Sequence, residues 1–217
     1  MTAMILAAGR GERLRPVTDT TPKALVKVRG ECLIDRHLRM LAKASVKMVV
    51  INLGWFGEQI AAHVGSGQQF GLQVVYSPEY DNILETGGGI HKALPVLGAA
   101  PFWVVNVDVY TDMTLPNIDL PEDEQGHLVL IPTPAYKPRA DFDLLGGKVT
   151  KVNEPTLTFS GIARYRPEFF ANSADGRYSL APMLFAATAD GRLGGSIHHG
   201  IWEDVGTPER LDRLNSR

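Results

Sequence analysis

Unbroken apolar runs alternate with amphipathic stretches through the first half of the chain, and that alternation predicts most of its elements. Ala3–Leu6 is continuously apolar, as expected of a strand covered on both faces. A loop rich in Gly, Arg and Pro follows, and Ala24–Val28 reads as a short extended piece. Leu33 to Ala44 carries Ile34, Leu38 and Leu41 at i, i+4 and i+7, the stripe of a helix buried on one side. Lys47–Asn52 reads as a second buried strand, Trp55–Val64 as a second helix, Leu72–Tyr76 as a third strand and Thr86–Leu97 as a third helix. Pro95 weakens the last turn of that helix, and Phe102–Asn106 is a fourth buried strand.

The second half has a different rhythm. Pro116–Gly126 is acidic and proline-containing, a surface loop before a strand at Leu128–Ile131. Phe142–Leu145 and Lys148–Val152 flank Gly146-Gly147, the strongest hairpin signal in the chain. Thr156–Tyr165 predicts a strand, Pro167–Ala171 the start of a helix, and Leu180–Ala189 a further helix. Arg192–Ile197 and Ile201–Trp202 are short strands, and Pro208–Leu214 is a closing helix with Thr207 as its N-cap. The first half therefore predicts an α/β fold, a mainly parallel sheet with helices on both faces. The second half predicts added antiparallel strands. Ligands of such sheets sit beyond the carboxyl ends of the strands, where Ala7–Gly11 and Asn106–Asp108 both fall.

Composition narrows the classes. A length of 217 residues suits one domain, 44% hydrophobic and 21% charged residues are ordinary globular values, and a net charge of -2 argues against a nucleic-acid binder. The single cysteine, Cys32, allows no internal disulfide and suits a reducing, cytoplasmic setting as a small core residue. The apolar run at the N-terminus is too short for a signal peptide or a membrane span. No repeat or low-complexity segment is visible. His198-His199 sit next to each other on a strand and point to opposite faces, so a metal pair is not expected there.

Candidate chemistry concentrates in Leu6–Lys23, LAAGRGERLRPVTDTTPK. Gly9 and Gly11 permit close backbone approach, and successive backbone N–H groups in such a loop can form an anion nest. Arg10, Arg13 and Arg15 offer guanidinium forks for phosphate, and Lys23 a compact charge. Neither GxxxxGK[ST] nor GxGxxG is present. On spacing alone the loop reads either as a phosphate cradle or as a glycine-rich connection with solvated arginines.

Five motifs together are more specific. Gly9-x-Gly11-x-Arg13-Leu14-x-Pro16-x-Thr18 with Pro22-Lys23 is followed by Phe70-Gly71-Leu72 and Tyr76-Ser77-Pro78-Glu79, then Glu85-Thr86-Gly87-Gly88-Gly89. Asn106-Val107-Asp108 and Trp202-Glu203-Asp204-Val205-Gly206-Thr207-Pro208 complete the series. In this order they resemble the signature of the sugar-1-phosphate nucleotidyltransferases, which join a nucleoside triphosphate to a sugar 1-phosphate and release pyrophosphate. The resemblance implies a three-layer Rossmann-like nucleotidyltransferase fold with a mostly parallel mixed sheet and a small antiparallel sugar-binding lobe. It implies a single domain over 1–217, with a nucleotide half over about 1–112 and a sugar half over about 113–217. It implies that Ala7, Ala8, Gly9, Gly11, Arg13 and Lys23 hold the phosphates and ribose, and that the Thr86, Gly87 and Gly88 turn reads the base. Arg13, Lys23 and Asp108 would be catalytic, with Mg²⁺ on Asp108 and Asp204. Two carboxylates completed by phosphate oxygens and water suit that ion. Small-molecule substrates, no nucleic acid, no membrane and a monomer or small homo-oligomer follow from the same resemblance.

Two departures bear on the substrate. Val107 replaces the glycine usual before the metal aspartate, and Val152-Asn153-Glu154-Pro155 lacks the lysine that hexose-phosphate members carry there. The missing lysine, the short length, the Glu85-Thr86-Gly87-Gly88-Gly89 turn and the Asn106-x-Asp108-Val109-x-Thr111-Asp112 run together resemble the branch that couples UTP to N-acetylmuramate 1-phosphate in cell-wall recycling. Asn106, Asp141, Glu154, Ser160 and Gly161 would then line the sugar site. GTP with mannose 1-phosphate, or TTP or UTP with glucose 1-phosphate, is the near alternative, and a non-catalytic sensor the distant one.

Overall fold

The computed structural model describes residues 1–216. β1 (Thr2–Leu6) leads into three 3-10 turns, Glu12–Leu14, Val17–Asp19 and Lys23–Leu25, and then a ribbon of β2 (Lys27–Val28) and β3 (Glu31–Cys32). The extended piece expected at Ala24–Val28 is thus half turn and half strand. α1 (Leu33–Lys43), β4 (Met48–Leu53), α2 (Gly57–Val64), β5 (Gln73–Pro78), α3 (Glu85–Leu97) and β6 (Phe102–Asn106) follow, close to their expected bounds. β7 (Val109–Thr111), β8 (Gly126–Pro132), β9 (Asp143–Leu145), β10 (Lys148–Thr150), β11 (Leu157–Tyr165), α4 (Ala181–Ala189), β12 (Leu193–Ile197), β13 (Trp202–Asp204) and α5 (Pro208–Asn215) complete the chain.

One sheet of nine strands, ordered β5-β4-β1-β6-β11-β8-β12-β10-β9, runs through the molecule. β5, β4, β1 and β6 are parallel; β11 enters antiparallel beside β6, and β8 returns beside β11 in the direction of β6. β12 is parallel to β8, and β10 and β9 close the edge as the Gly146-Gly147 hairpin. Only β11 and β10 oppose the common direction, so the sheet is mixed but mostly parallel. Apart from β13, the strands of the second half extend the first-half sheet. β7 and β13 make a separate antiparallel ribbon.

Alternation along the buried strands explains the three layers, since successive side chains leave a strand on opposite faces. Ala3, Ile5, Val49, Ile51, Trp103 and Val105 pack with Ile34, Leu38 and Leu41 of α1 and Ile60 and Val64 of α2. Met4, Val50, Phe102 and Val104 face the other way, onto Ile90, Ala93 and Leu97 of α3 and Leu184 and Ala187 of α4. The helix expected from Pro167 is a single 3-10 turn, Pro167–Phe170, whose Phe169 and Phe170 plug that second core. Thr207 occupies the N-cap position of α5, but its side chain makes no capping bond. Cys32 is buried and free, as expected. No helix of the described residues is long and apolar enough to cross a membrane.

One core residue makes stability depend on pH. His37 of α1 has no exposed surface, its Nε2 lies 3.3 Å from the Val107 carbonyl, and its Nδ1 has no partner. Burial lowers its pKa from 6.5 to about 4. The unfolded chain therefore binds the proton more readily than the folded one, and stability rises with pH between these values. It is fully present above pH 6.5 and is lost as pH falls toward 4. Urea unfolding is expected to lose about 2–3 kcal/mol of this origin between pH 7 and pH 4.5. His37→Gln, which does not titrate there, is expected to flatten that part of the profile; an unchanged profile would contradict the assignment.

Candidate active site

The carboxyl ends of β1, β4 and β6 open onto one crevice of about 360 Å³. Its floor is the loop after β1. Ala7 is buried and its N–H is committed to Asn52 Oδ1 at 2.6 Å, while Ala8, Gly9 and Gly11 line the opening. Gly11 has φ +68, and a Cβ there would press on Thr18 Cγ2 at 3.1 Å. Thr18, itself buried, donates its hydroxyl to the Gly11 carbonyl at 2.9 Å and so pins the loop's curvature. A Cβ on Gly9 meets nothing within 4 Å, so this glycine leaves open backbone toward the crevice.

The three arginines part company. Arg10 lies over the Trp55 ring, 4.4 Å from its centroid, and Arg15 pairs with Asp19 at 2.7 Å on the surface. Arg13 alone lines a crevice, a second one of about 370 Å³ that adjoins the first through Asn106 and Asp108. Arg10 and Arg15 are engaged by an aromatic face and a local carboxylate, which leaves Arg13 as the one of the three that lines a crevice. Lys23 lines the first crevice, with Nζ 2.7 Å from Asp108 Oδ2.

Asp108 and Asp204, far apart in sequence, are neighbours here. Asp204 closes β13 opposite Val109 of β7, and the Val205 N–H donates to the Asp108 carbonyl at 2.8 Å. Both aspartates line the second crevice. Each carboxylate is matched by cations: Asp108 by Lys23, and Asp204 by Arg210 at 2.5 and 2.6 Å. The Tyr136 hydroxyl donates to Asp204 Oδ1 at 2.5 Å, and the Arg210 guanidinium lies 3.8 Å from the Tyr136 ring centroid. Burial, then the Asp204 carboxylate, push the Tyr136 phenol well above its usual range. Two partly exposed carboxylates at the same end of the β7–β13 ribbon, opening to a crevice that also holds Arg13, fit a hard divalent cation that shares phosphate oxygens.

The expected base-reading turn proves to be the first turn of a helix. α3 begins at Glu85, which takes φ 62, and the Gly87 and Gly88 N–H groups both donate to the Tyr178 carbonyl, at 3.0 and 3.2 Å. Their glycines serve packing: a Cβ on Gly88 would fall on the Gly176 carbonyl, and one on Gly87 on the Tyr178 ring. Thr86, Glu85 and Ser179 line the crevice instead.

Of the expected sugar residues, Asn106, Ser160 and Gly161 line the second crevice. Gly161 sits at a bulge in β11 with φ +82, and a Cβ there would lie 2.8 Å from Asn106 Nδ2. Asp141 accepts from Lys137 Nζ at 2.5 Å and from the Phe159 N–H at 3.2 Å. Glu154 is exposed and lines neither crevice. Val107 also lines the first crevice, but it is 5% exposed and most of it joins the core beneath the α1–α2 layer.

Wall residues that received no role from the sequence include Asn52, Glu79, Ser179, Tyr136, Lys137 and Arg210. A signal existed for the first, a polar side chain at the carboxyl end of an apolar strand. Glu79 stands in the Tyr76-Ser77-Pro78-Glu79 motif, and nothing local marks the rest.

Comparison with known proteins identifies the family. Residues 3–116 match the MobA-like NTP transferase domain. The chain is 47% identical, over 97% of its length and 95% of the relative's, to an N-acetylmuramate alpha-1-phosphate uridylyltransferase of Neisseria meningitidis serogroup B. It is 35% identical to a Caulobacter vibrioides protein of the same name, over 95% of this chain and 92% of that one. Among solved structures, a Bacillus anthracis protein assigned as a glucose-1-phosphate thymidylyltransferase superposes with a TM-score of 0.87 at 20% identity, covering 100% of this chain and 94% of that one. At that identity the likeness shows the fold.

Proposed function

We propose, because the chain belongs to the sugar-1-phosphate nucleotidyltransferases built on a MobA-like NTP transferase domain, that it joins UTP to N-acetylmuramate 1-phosphate. The products are UDP-N-acetylmuramate and pyrophosphate. The observation that carries this reading is the meeting of two crevices at Asn106 and Asp108, one under the glycine loop and one under the β11 bulge. Two substrates placed in them would bring their phosphates together at that junction.

The reaction needs no covalent enzyme intermediate. An oxygen of the sugar phosphate attacks the α-phosphorus of UTP in line, a P–O bond forms, the α–β bridging bond breaks, and pyrophosphate leaves with its electron pair. Lys23 stands beside the junction to hold the α-phosphoryl oxygens, and Arg13 to hold the triphosphate or the leaving group. The open backbone of Ala8–Gly11 covers the phosphates, and Thr86 and Ser179 face the base. Asn106, Ser160 and Gly161 take the sugar. Asp108 and Asp204 would hold Mg²⁺, which when bound neutralises phosphate charge. Catalysis is then positioning and charge neutralisation.

The test is product identification. Incubation with UTP, N-acetylmuramate 1-phosphate and Mg²⁺ is expected to yield UDP-N-acetylmuramate and pyrophosphate in equal amounts, and chelation of the metal to stop both. Tight nucleotide binding without any product would favour a sensor and contradict the reading.

A further inference from the structure

Two side chains under the first crevice take no part in the chemistry above. Asn52 near the end of β4 and Glu79 just after β5 are each 3% exposed. They form a buried chain of hydrogen bonds. The Ala7 N–H donates to Asn52 Oδ1 at 2.6 Å, Asn52 Nδ2 donates to Glu79 Oε1 at 2.9 Å, and the Leu84 N–H donates to Glu79 Oε2 at 2.9 Å. One end holds the start of the glycine loop. The other holds the residue before α3, next to Glu85 and Thr86 of the crevice wall.

The polarity of this chain is forced from its ends. A backbone N–H only donates, so the Asn52 atom facing Ala7 is its oxygen and the atom facing Glu79 is its amide nitrogen. Glu79 must then accept with both oxygens. Space around it is also closed: a Cβ on Gly89 would lie 2.8 Å from Glu79 Oε1 and 3.0 Å from Asn52 Nδ2. No water-filled room is left on that side to repair a broken link, and a buried donor without an acceptor is costly.

We propose that the Asn52–Glu79 pair is a nucleotide-positioning device, which sets the spacing between the glycine loop and the start of α3 so that one nucleotide reaches both. This rests on the reading that the first crevice takes UTP. Glu79→Gln supplies only one acceptor, so whichever way its amide turns it sets a donor against Asn52 or against Leu84. Asn52→Asp sets a carboxylate against a carboxylate. The exchange N52D/E79Q restores every contact. The carboxylate now at position 52 accepts from the Ala7 N–H and from the amide nitrogen now at position 79, and the amide oxygen at position 79 accepts from the Leu84 N–H.

Calorimetric titration with UTP and, separately, with the sugar 1-phosphate decides the matter, alongside amide hydrogen exchange at Ala7 and Leu84. Each single variant is expected to bind UTP at least tenfold more weakly and to exchange both amides faster, with sugar-phosphate binding within twofold of wild type. The double variant is expected to return within threefold of wild-type UTP binding and to slow both amides again. UTP binding by Glu79→Gln equal to wild type, or a double variant no better than the weaker single, overturns the proposal. Should Glu79→Gln not fold, the double variant alone decides: it folds and binds UTP within threefold of wild type, or the proposal fails. Wild-type protein that binds another nucleoside triphosphate and not UTP contradicts the substrate reading instead, while the exchange of the two amides still tests the pair.

Discussion

Asp108→Asn is expected to lower kcat/KM by at least about 10²-fold while leaving the protein folded. The substitution keeps the shape and removes the charge. In the ligand-free molecule that charge faces Lys23 Nζ at 2.7 Å, across the junction of the two crevices. Lys23→Ala is expected to lose as much from the other side of the pair. Neither effect should come through folding. The Lys23 and Asp108 side chains are 11% and 28% exposed, beside open space into which an unpaired partner can turn. Steady-state kinetics with thermal melts separates the two. Near-normal turnover by either folded variant would remove the residue from the reaction.

Gly88→Ala should be the second large loss, and for a steric reason. The new Cβ would fall on the Gly176 carbonyl, a backbone atom that a side-chain rotation cannot move. The segment it would displace is bound to α3 by four hydrogen bonds: Gly87 and Gly88 N–H to the Tyr178 carbonyl, Tyr178 N–H to the Leu84 carbonyl, and Leu180 N–H to Thr86 Oγ1. Pushing it away separates Ser179 from Thr86 across the mouth of the first crevice. Overpacking of this kind costs about 1–3 kcal/mol of stability. A shift near 1 Å in a wall that positions substrate costs on the order of 10²-fold in kcat/KM. A variant with wild-type melting and kinetics would show that the three-glycine start of α3 is not a packing requirement.

Much of the fold was legible because its signals are local. The continuous apolar runs of β1, β4 and β6 announced strands buried on both faces, and Gly146-Gly147, with φ 57 and 81, announced the hairpin that closes the sheet. The glycine loop and its place at a strand's carboxyl end were equally plain. What stayed hidden depends on which distant segments meet. Periodicity cannot show that β11 inserts antiparallel beside β6, and so carries Gly161 against Asn106. Nor can it show that Val109 pairs with Asp204 and makes two aspartates neighbours. The fates of Arg10 and Arg15 turned on Trp55 and Asp19, and the helical state of the glycine-rich motif turned on the Tyr178 carbonyl. Glycine disfavours a helix interior by about 1 kcal/mol relative to alanine. Here close backbone approach outweighs that preference.

The central claim is the pairing of one nucleotide with one sugar at the junction of the two crevices. Pyrophosphate release measured across four nucleoside triphosphates and a panel of sugar 1-phosphates tests it most directly. UTP with N-acetylmuramate 1-phosphate is expected to give the highest kcat/KM. A higher value for GTP with mannose 1-phosphate, or for TTP or UTP with glucose 1-phosphate, would contradict it.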